Sequence, residues 1–127
     1  IADIITPNET EAEYMTGIKI KSIDDAKVAA NKILKNNINS CIITLGENGA
    51  YLMNQNKEKY FPPHKINKVE ASVGAGDAFT GILGASLSKN IDLEESIQIA
   101  VIGSALSTTR SGAQESMPSY DDIKKFL

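Results

Sequence analysis

Cysteine, histidine, arginine and tryptophan are nearly absent from this chain, and each shortage closes off a class of chemistry. The single cysteine, Cys41, leaves no partner for an internal disulfide and rules out a cysteine-rich zinc site. It lies in an apolar run, where a buried, inert thiol is the expectation. His64 is the only histidine, and it follows Pro62-Pro63, a loop context. Catalysis by a Cys/His or Ser/His pair within the chain is therefore excluded almost entirely. Basic residues are not in excess: 13 Lys and Arg stand against 16 Asp and Glu, with Arg110 the only arginine. A net charge of −3 gives no reason to expect nucleic acid or an anionic membrane as partner. No apolar run approaches the length of about 18 residues that a membrane helix needs. No signal-peptide pattern is recognisable.

What remains is ordinary globular composition. The 127 residues, 42% hydrophobic and 23% charged, suit one domain at most, with a real core. Ile1 to Thr6 reads as a strand already under way, without an initiator methionine, so a piece beginning in mid-sheet is expected.

Pro7 ends that strand, and a helix follows to Thr16 with Gly17 as its stop. Asn8 and Glu11 have the spacing of a capping box. The same spacing recurs at Ser22/Asp25, Asp92/Glu95 and Ser119/Asp122, so alone it says little about chemistry. Its place at a strand's carboxyl end, where open sheets bind ligands, gives it interest. Ile23 to Asn36 is an amphipathic helix carrying Ala26, Ala29, Ala30, Ile33 and Leu34 on its apolar side. Ser40 to Leu45 is a continuous apolar run, the mark of a strand buried on both faces, and it empties into Gly46-Glu47-Asn48-Gly49. A hairpin over Ala50–Met53 and Lys59–Phe61 turns around Asn54 to Lys57. Lys65 to Val69 is a further expected strand.

The chain is organised around Ser72 to Thr80, where an extended stretch ends at Val73 and a helix opens. Glycines bracketing one alanine, Gly74-Ala75-Gly76, let the backbone turn close to a ligand. The free first-turn amides and the positive dipole end suit a phosphate in transfer, and Asp77 there is a base held beside the anion. That helix, to Lys89, carries Gly81 and Gly84 on the Asp77 side, which suggests close approach of another helix or a ligand. Leu93 to Thr109 is apolar nearly all round and reads as a buried helix, stopped by Arg110 to Ala113. A short helix, Tyr120 to Phe126, ends the chain. The pattern is α/β with a mainly parallel sheet.

Four stretches stand in order: Thr6-Pro7-Asn8-Glu9-Thr10-Glu11-Ala12-Glu13, Ile43 to Gly49, Val73-Gly74-Ala75-Gly76-Asp77-Ala78-Phe79, and Gly112-Ala113-Gln114-Glu115-Ser116-Met117-Pro118. Together they resemble, from end to end, the C-terminal half of the ribokinase-like (phosphofructokinase B type) sugar kinases, and within them the ribokinases. The resemblance implies a Rossmann-like open sheet with helices on both faces. Residues 1–127 would then be the nucleotide-binding and catalytic portion of one domain whose sugar-binding half and lid lie outside this sequence.

By that resemblance Asp77 is the general base for the 5-hydroxyl of D-ribose and the one sugar contact. Gly74, Ala75, Gly76 and Asp77 form the anion hole. Asn8, Thr44, Leu45, Gly46, Glu47, Asn48 and Gly49, with Gly76 and Asp77, line the ATP site. Asn8 and Glu11 act around magnesium, partly through water. A monovalent cation, usually potassium, would be held at Val73, Ser107, Arg110, Gly112 and Ser116. Here Ala71-Ser72 replaces the family's Asp-Thr, so weak or absent potassium activation is expected. The resemblance further implies a pentose partner, a homodimer formed through the lid, and a cytoplasmic enzyme. These residues alone are expected to bind nucleotide without phosphorylating sugar. The alternatives are a kinase for deoxyribose, fructose or a nucleoside, or a catalytically silent nucleotide-binding module.

Overall fold

The computed structural model describes residues 4–64, 75–107 and 120–127. The chain, expected to be part of one domain, divides into two compact units, Ile1–Pro62 and Pro63–Leu127.

In the first unit, β1 (Ile4–Ile5) leads to helix α1 (Glu9–Thr16) and helix α2 (Ile23–Leu34). Strand β2 (Ser40–Thr44), a 3-10 turn (Gly46–Asn48) and the hairpin of β3 (Ala50–Asn54) and β4 (Glu58–Phe61) follow. The strands lie in chain order, β1-β2-β3-β4. The open α/β sheet is as expected, but its described part is mixed. Only β1 and β2 run parallel, while β2/β3 and β3/β4 are antiparallel. The reason is connection length. Two helices fill the crossover from β1 to β2, whereas five residues join β2 to β3, and a parallel return needs a dozen or more.

Local chemistry sets the element ends. Gly17 closes α1 in the left-handed region (φ 74°), its N–H donating to the Glu13 carbonyl. Asn37, also left-handed at φ 63°, follows α2. In the β3/β4 turn the Asn54 side-chain oxygen accepts the N–H groups of Asn56 and Lys57, both at 2.9 Å. The core lies between α2 and one sheet face: Ala26, Ala29, Ala30 and Ile33 meet Cys41, Ile43, Tyr51 and Met53. Three alanines on α2 let the helix approach closely, and burying Ile33 alone is worth about 1.5–3 kcal/mol. Ile42 and Leu52 alternate to the opposite sheet face and are also fully buried. One polar clasp ties α2 to the hairpin: Tyr51 Oη donates to Glu58 Oε2 at 2.7 Å, and Lys27 Nζ reaches Glu58 Oε1 at 3.1 Å. The Tyr51 bond and then Lys27 hold the Glu58 carboxyl below its ordinary range, while burial first, and Glu58 second, pushes the Tyr51 phenol up.

The second unit contains α3 (Ala75–Ser88), α4 (Leu93–Ser107) and α5 (Tyr120–Lys124). The buried character expected of α4 holds, with Ser96, Ile97, Ile99, Ala100, Val101, Ile102 and Gly103 all inside. Of the close approach expected at Gly81 and Gly84, by a helix or a ligand, the described residues show no helix against Gly84. Both are exposed, and a Cβ at Gly84 would meet nothing within 4 Å among the described residues. The tight contact is instead at Gly103, where a Cβ would run into the δ-methyls of Ile82 on α3 and Ile123 on α5. The expected strand Lys65–Val69 and the helix stop at Arg110–Ala113 lie outside the described residues.

Candidate active site

In the first unit, the end of β1 and the end of β2 meet. Thr44 N–H donates to the Pro7 carbonyl at 3.0 Å, and Asn8 forms a parallel bridge with Thr44. This joins the N-x-x-E stretch to the 44–49 loop. Asn8 and Glu11 make a reciprocal capping box: Glu11 N–H donates to Asn8 Oδ1 at 2.7 Å, and Asn8 N–H to Glu11 Oε1 at 2.9 Å. The recurrences are weaker. Ser22 and Asp92 each accept from the residue three along, but Asp25 Oδ2 accepts from Lys21 N–H instead of the Ser22 N–H. Ser119/Asp122 lies outside the described residues. Both members of the Asn8/Glu11 pair are exposed.

The loop itself is closed by Leu45 N–H to the Gly49 carbonyl at 2.8 Å and Asn48 N–H to the Leu45 carbonyl at 3.0 Å. Gly46 (φ 58°) and Gly49 (φ 94°) adopt conformations that side chains rarely take. Gly46, Glu47 and Asn48 are exposed, Thr44 is half-buried, and Leu45 and Gly49 are buried. Two contacts here escaped the sequence reading. The Glu9 carboxylate lies beside Gly46, close enough that a Cβ there would be 3.9 Å from Glu9 Oε1. Burial, and then the Glu13 charge, raises the Glu9 pKa. Tyr60 on β4 donates its hydroxyl to the Asn48 carbonyl at 2.5 Å. Nothing in the spacing signals a contact twelve residues apart across a hairpin.

In the second unit, Ala75, Gly76 and Asp77 form the first turn of α3, whose leading amides have no acceptor within the helix. Gly76 and Asp77 are exposed, and a Cβ at Gly76 would meet nothing within 4 Å among the described residues. An exposed acid therefore stands on a helix N-terminus, an arrangement that suits an anion and a base side by side. Gly74 lies outside the described residues. So do Ala71, Val73, Arg110, Gly112 and Ser116. Ser107 ends α4, buried, its hydroxyl donating to the Ser104 carbonyl at 2.6 Å. Cys41 is fully buried and its thiol is pushed up to about 12 by desolvation, which keeps it out of the chemistry. His64 packs its ring edge-on to Phe126, centroids 4.5 Å apart.

The profile of the pfkB family of carbohydrate kinases matches residues 1–120. The chain belongs to that family. Its relatives include a deoxyribokinase of Salmonella typhi, 36% identical over 98% of this chain and 40% of the relative. A ribokinase of Staphylococcus aureus is 35% identical over 98% of this chain and 41% of the relative. The structure of Arabidopsis thaliana ribokinase complexed with ribose and ATP superimposes with a TM-score of 0.90 at 28% identity, over 97% of this chain and 40% of that one. The chain thus spans about 40% of the length of the relatives it matches. Among the described residues no helix is long and apolar enough to cross a membrane.

For a pfkB kinase the first-unit geometry can be tested against magnesium. Among the described residues no cluster of three or more His, Cys, Asp and Glu could hold an ion outright. The capping bonds use Asn8 Oδ1 and Glu11 Oε1 and do not engage Oε2 of the exposed Glu11 side chain. One carboxylate oxygen outside the cap fits magnesium that keeps its waters and a nucleotide's phosphates, not an all-protein cage.

Proposed function

We propose that the chain is the nucleotide-binding and catalytic portion of an ATP-dependent kinase that phosphorylates the 5-hydroxyl of D-ribose, releasing ribose 5-phosphate and ADP. The observation that carries this reading is Asp77, exposed on the first turn of α3 beside leading amides without helical acceptors. In the proposed reaction the Asp77 carboxylate takes the hydroxyl proton as the sugar oxygen bonds to the γ-phosphorus. The bond from that phosphorus to the β-phosphate oxygen breaks, and ADP leaves. The amides of Gly74, Ala75, Gly76 and Asp77 receive the negative charge of the phosphoryl group. Asn8 and the 44–49 loop hold the nucleotide, and Glu11 with Asn8 orients the water shell of magnesium. Magnesium, when bound, neutralises charge on the phosphates. Positioning and charge stabilisation carry most of the rate.

A second sugar has a specific observation in its favour: the deoxyribokinase and ribokinase relatives are equally similar, at 36% and 35%. Fructose and nucleosides are further candidates within the family. A catalytically silent module is the reading from outside the enzyme class, and Asp77 with the reciprocal Asn8/Glu11 pair weighs against it. The whole protein is proposed to be a cytoplasmic homodimer formed through a lid outside these residues. Potassium at Val73, Ser107, Arg110, Gly112 and Ser116 is expected to activate weakly, since Ala71 supplies no carboxylate, and a strong saturable stimulation would contradict this. The reading is tested by measuring ADP release from magnesium-ATP by the full-length protein across ribose, 2-deoxyribose, fructose and nucleosides. The proposal expects the highest kcat/KM for ribose. Release with none of them, though ATP binds, is the silent module's result.

A further inference from the structure

We propose that Tyr60 is a positioning residue for the nucleotide loop, an inference that rests on the reading of residues 44–49 as part of the ATP site. Tyr60 stands on β4 opposite Tyr51 of β3 and is 37% exposed. Its hydroxyl reaches back over the hairpin to donate to the Asn48 carbonyl at 2.5 Å. That carbonyl belongs to the last residue of the 3-10 turn, where helix carbonyls lack an intrahelical donor.

The peptide joining Asn48 to Gly49 is the loop's weak point. Gly49 sits at φ 94°, ψ −139°, a conformation that only glycine takes readily, and without a Cβ on that side little steric bulk holds the peptide's orientation. Within the loop its amide is tied only by the 3.3 Å bond from Gly49 N–H to the Gly46 carbonyl. The Tyr60 hydroxyl fixes the other end of the same peptide. With both ends held, one orientation persists, and Gly46, Glu47 and Asn48 keep the shape that meets the nucleotide. Tyr60 itself does not touch the ligand. It lowers the ordering cost of binding by holding the loop before the nucleotide arrives.

The test is Tyr60→Phe in the full-length kinase, which removes only the hydroxyl, with Gly46→Ala as a separate perturbation of the same loop. One hydrogen bond of ordinary strength corresponds to a rise of roughly fivefold in KM for magnesium-ATP. The inference expects that rise with kcat changed by less than about twofold and KM for the sugar unmoved. A purely structural tyrosine would instead lower the melting temperature and leave the nucleotide KM alone, which overturns the inference. An unchanged nucleotide KM in Tyr60→Phe beside a raised one in Gly46→Ala also overturns it, while leaving the loop in the ATP site. If neither variant moves the nucleotide KM, the assignment of the loop fails and the inference falls with it.

Discussion

Replacing Glu11 by glutamine separates the two tasks assigned to that side chain. Glutamine keeps an oxygen in the place of Oε1, so the 2.9 Å bond from Asn8 N–H survives while the negative charge is lost. Losing a charge near a helix N-terminus costs about 0.3–1 kcal/mol. For a chain of this size that is a fall of about 4 °C or less in melting temperature. Glu11→Ala removes the acceptor as well, adding about 0.5–1.5 kcal/mol. The magnesium role is expected to respond differently. A group that orients an ion's surroundings typically changes metal affinity by about ten- to a hundredfold when altered. Calorimetric titration with ATP, in magnesium and again in chelator, reads this directly. Glu11→Gln should weaken magnesium-ATP binding at least about tenfold and leave metal-free ATP binding within about twofold. A variant that loses a few degrees of stability but binds magnesium-ATP as before would show Glu11 to be a capping residue and nothing more.

Other perturbations probe the frame around the site. Glu9 is less easily ionised in the fold than in the unfolded chain, because burial and Glu13 raise its pKa. The folded state thus holds its proton to higher pH, and this group's contribution favours folding less as pH rises through the raised pKa. Glu9→Gln is expected to raise the melting temperature at pH 7, with the gain vanishing below the ordinary carboxylate range of about pH 4 in parallel melts. Gly103→Ala forces a methyl against Ile82 and Ile123 and should cost about 1–3 kcal/mol in urea unfolding. An unchanged midpoint there would mean that α3 and α5 shift freely.

Much of this was legible in the residues because the signals are local. The Asn8/Glu11 spacing gives the α1 cap, Gly17 its stop, and the Ser40 to Leu45 run the buried strand β2. Ala75, Gly76 and Asp77 open a helix as the glycine and acid suggest. Sheet direction was less plain, since it follows from connection length, and the five residues between β2 and β3 forbid a parallel return. The tight helix contact at Gly103 was not foreseen. Glycine within a helix marks a possible approach, but which glycine is used depends on tertiary packing: Gly103 is buried under two isoleucines while Gly84 faces outward. Glu9 beside Gly46 and Tyr60 over Asn48 were invisible for the same reason, being contacts made by folding and not by spacing.

The central claim is that Asp77 is the base of a phosphoryl transfer. The most direct measurement compares Asp77→Asn with the unaltered full-length protein, following ribose-dependent ADP release and nucleotide affinity on the same preparations. The amide keeps the shape of the side chain but is a far weaker base. Turnover should fall by at least about a hundredfold, the order that general-base catalysis supplies, with magnesium-ATP bound within a few-fold of its original affinity. Turnover retained in Asp77→Asn, or lost only in step with nucleotide binding, would contradict the assignment.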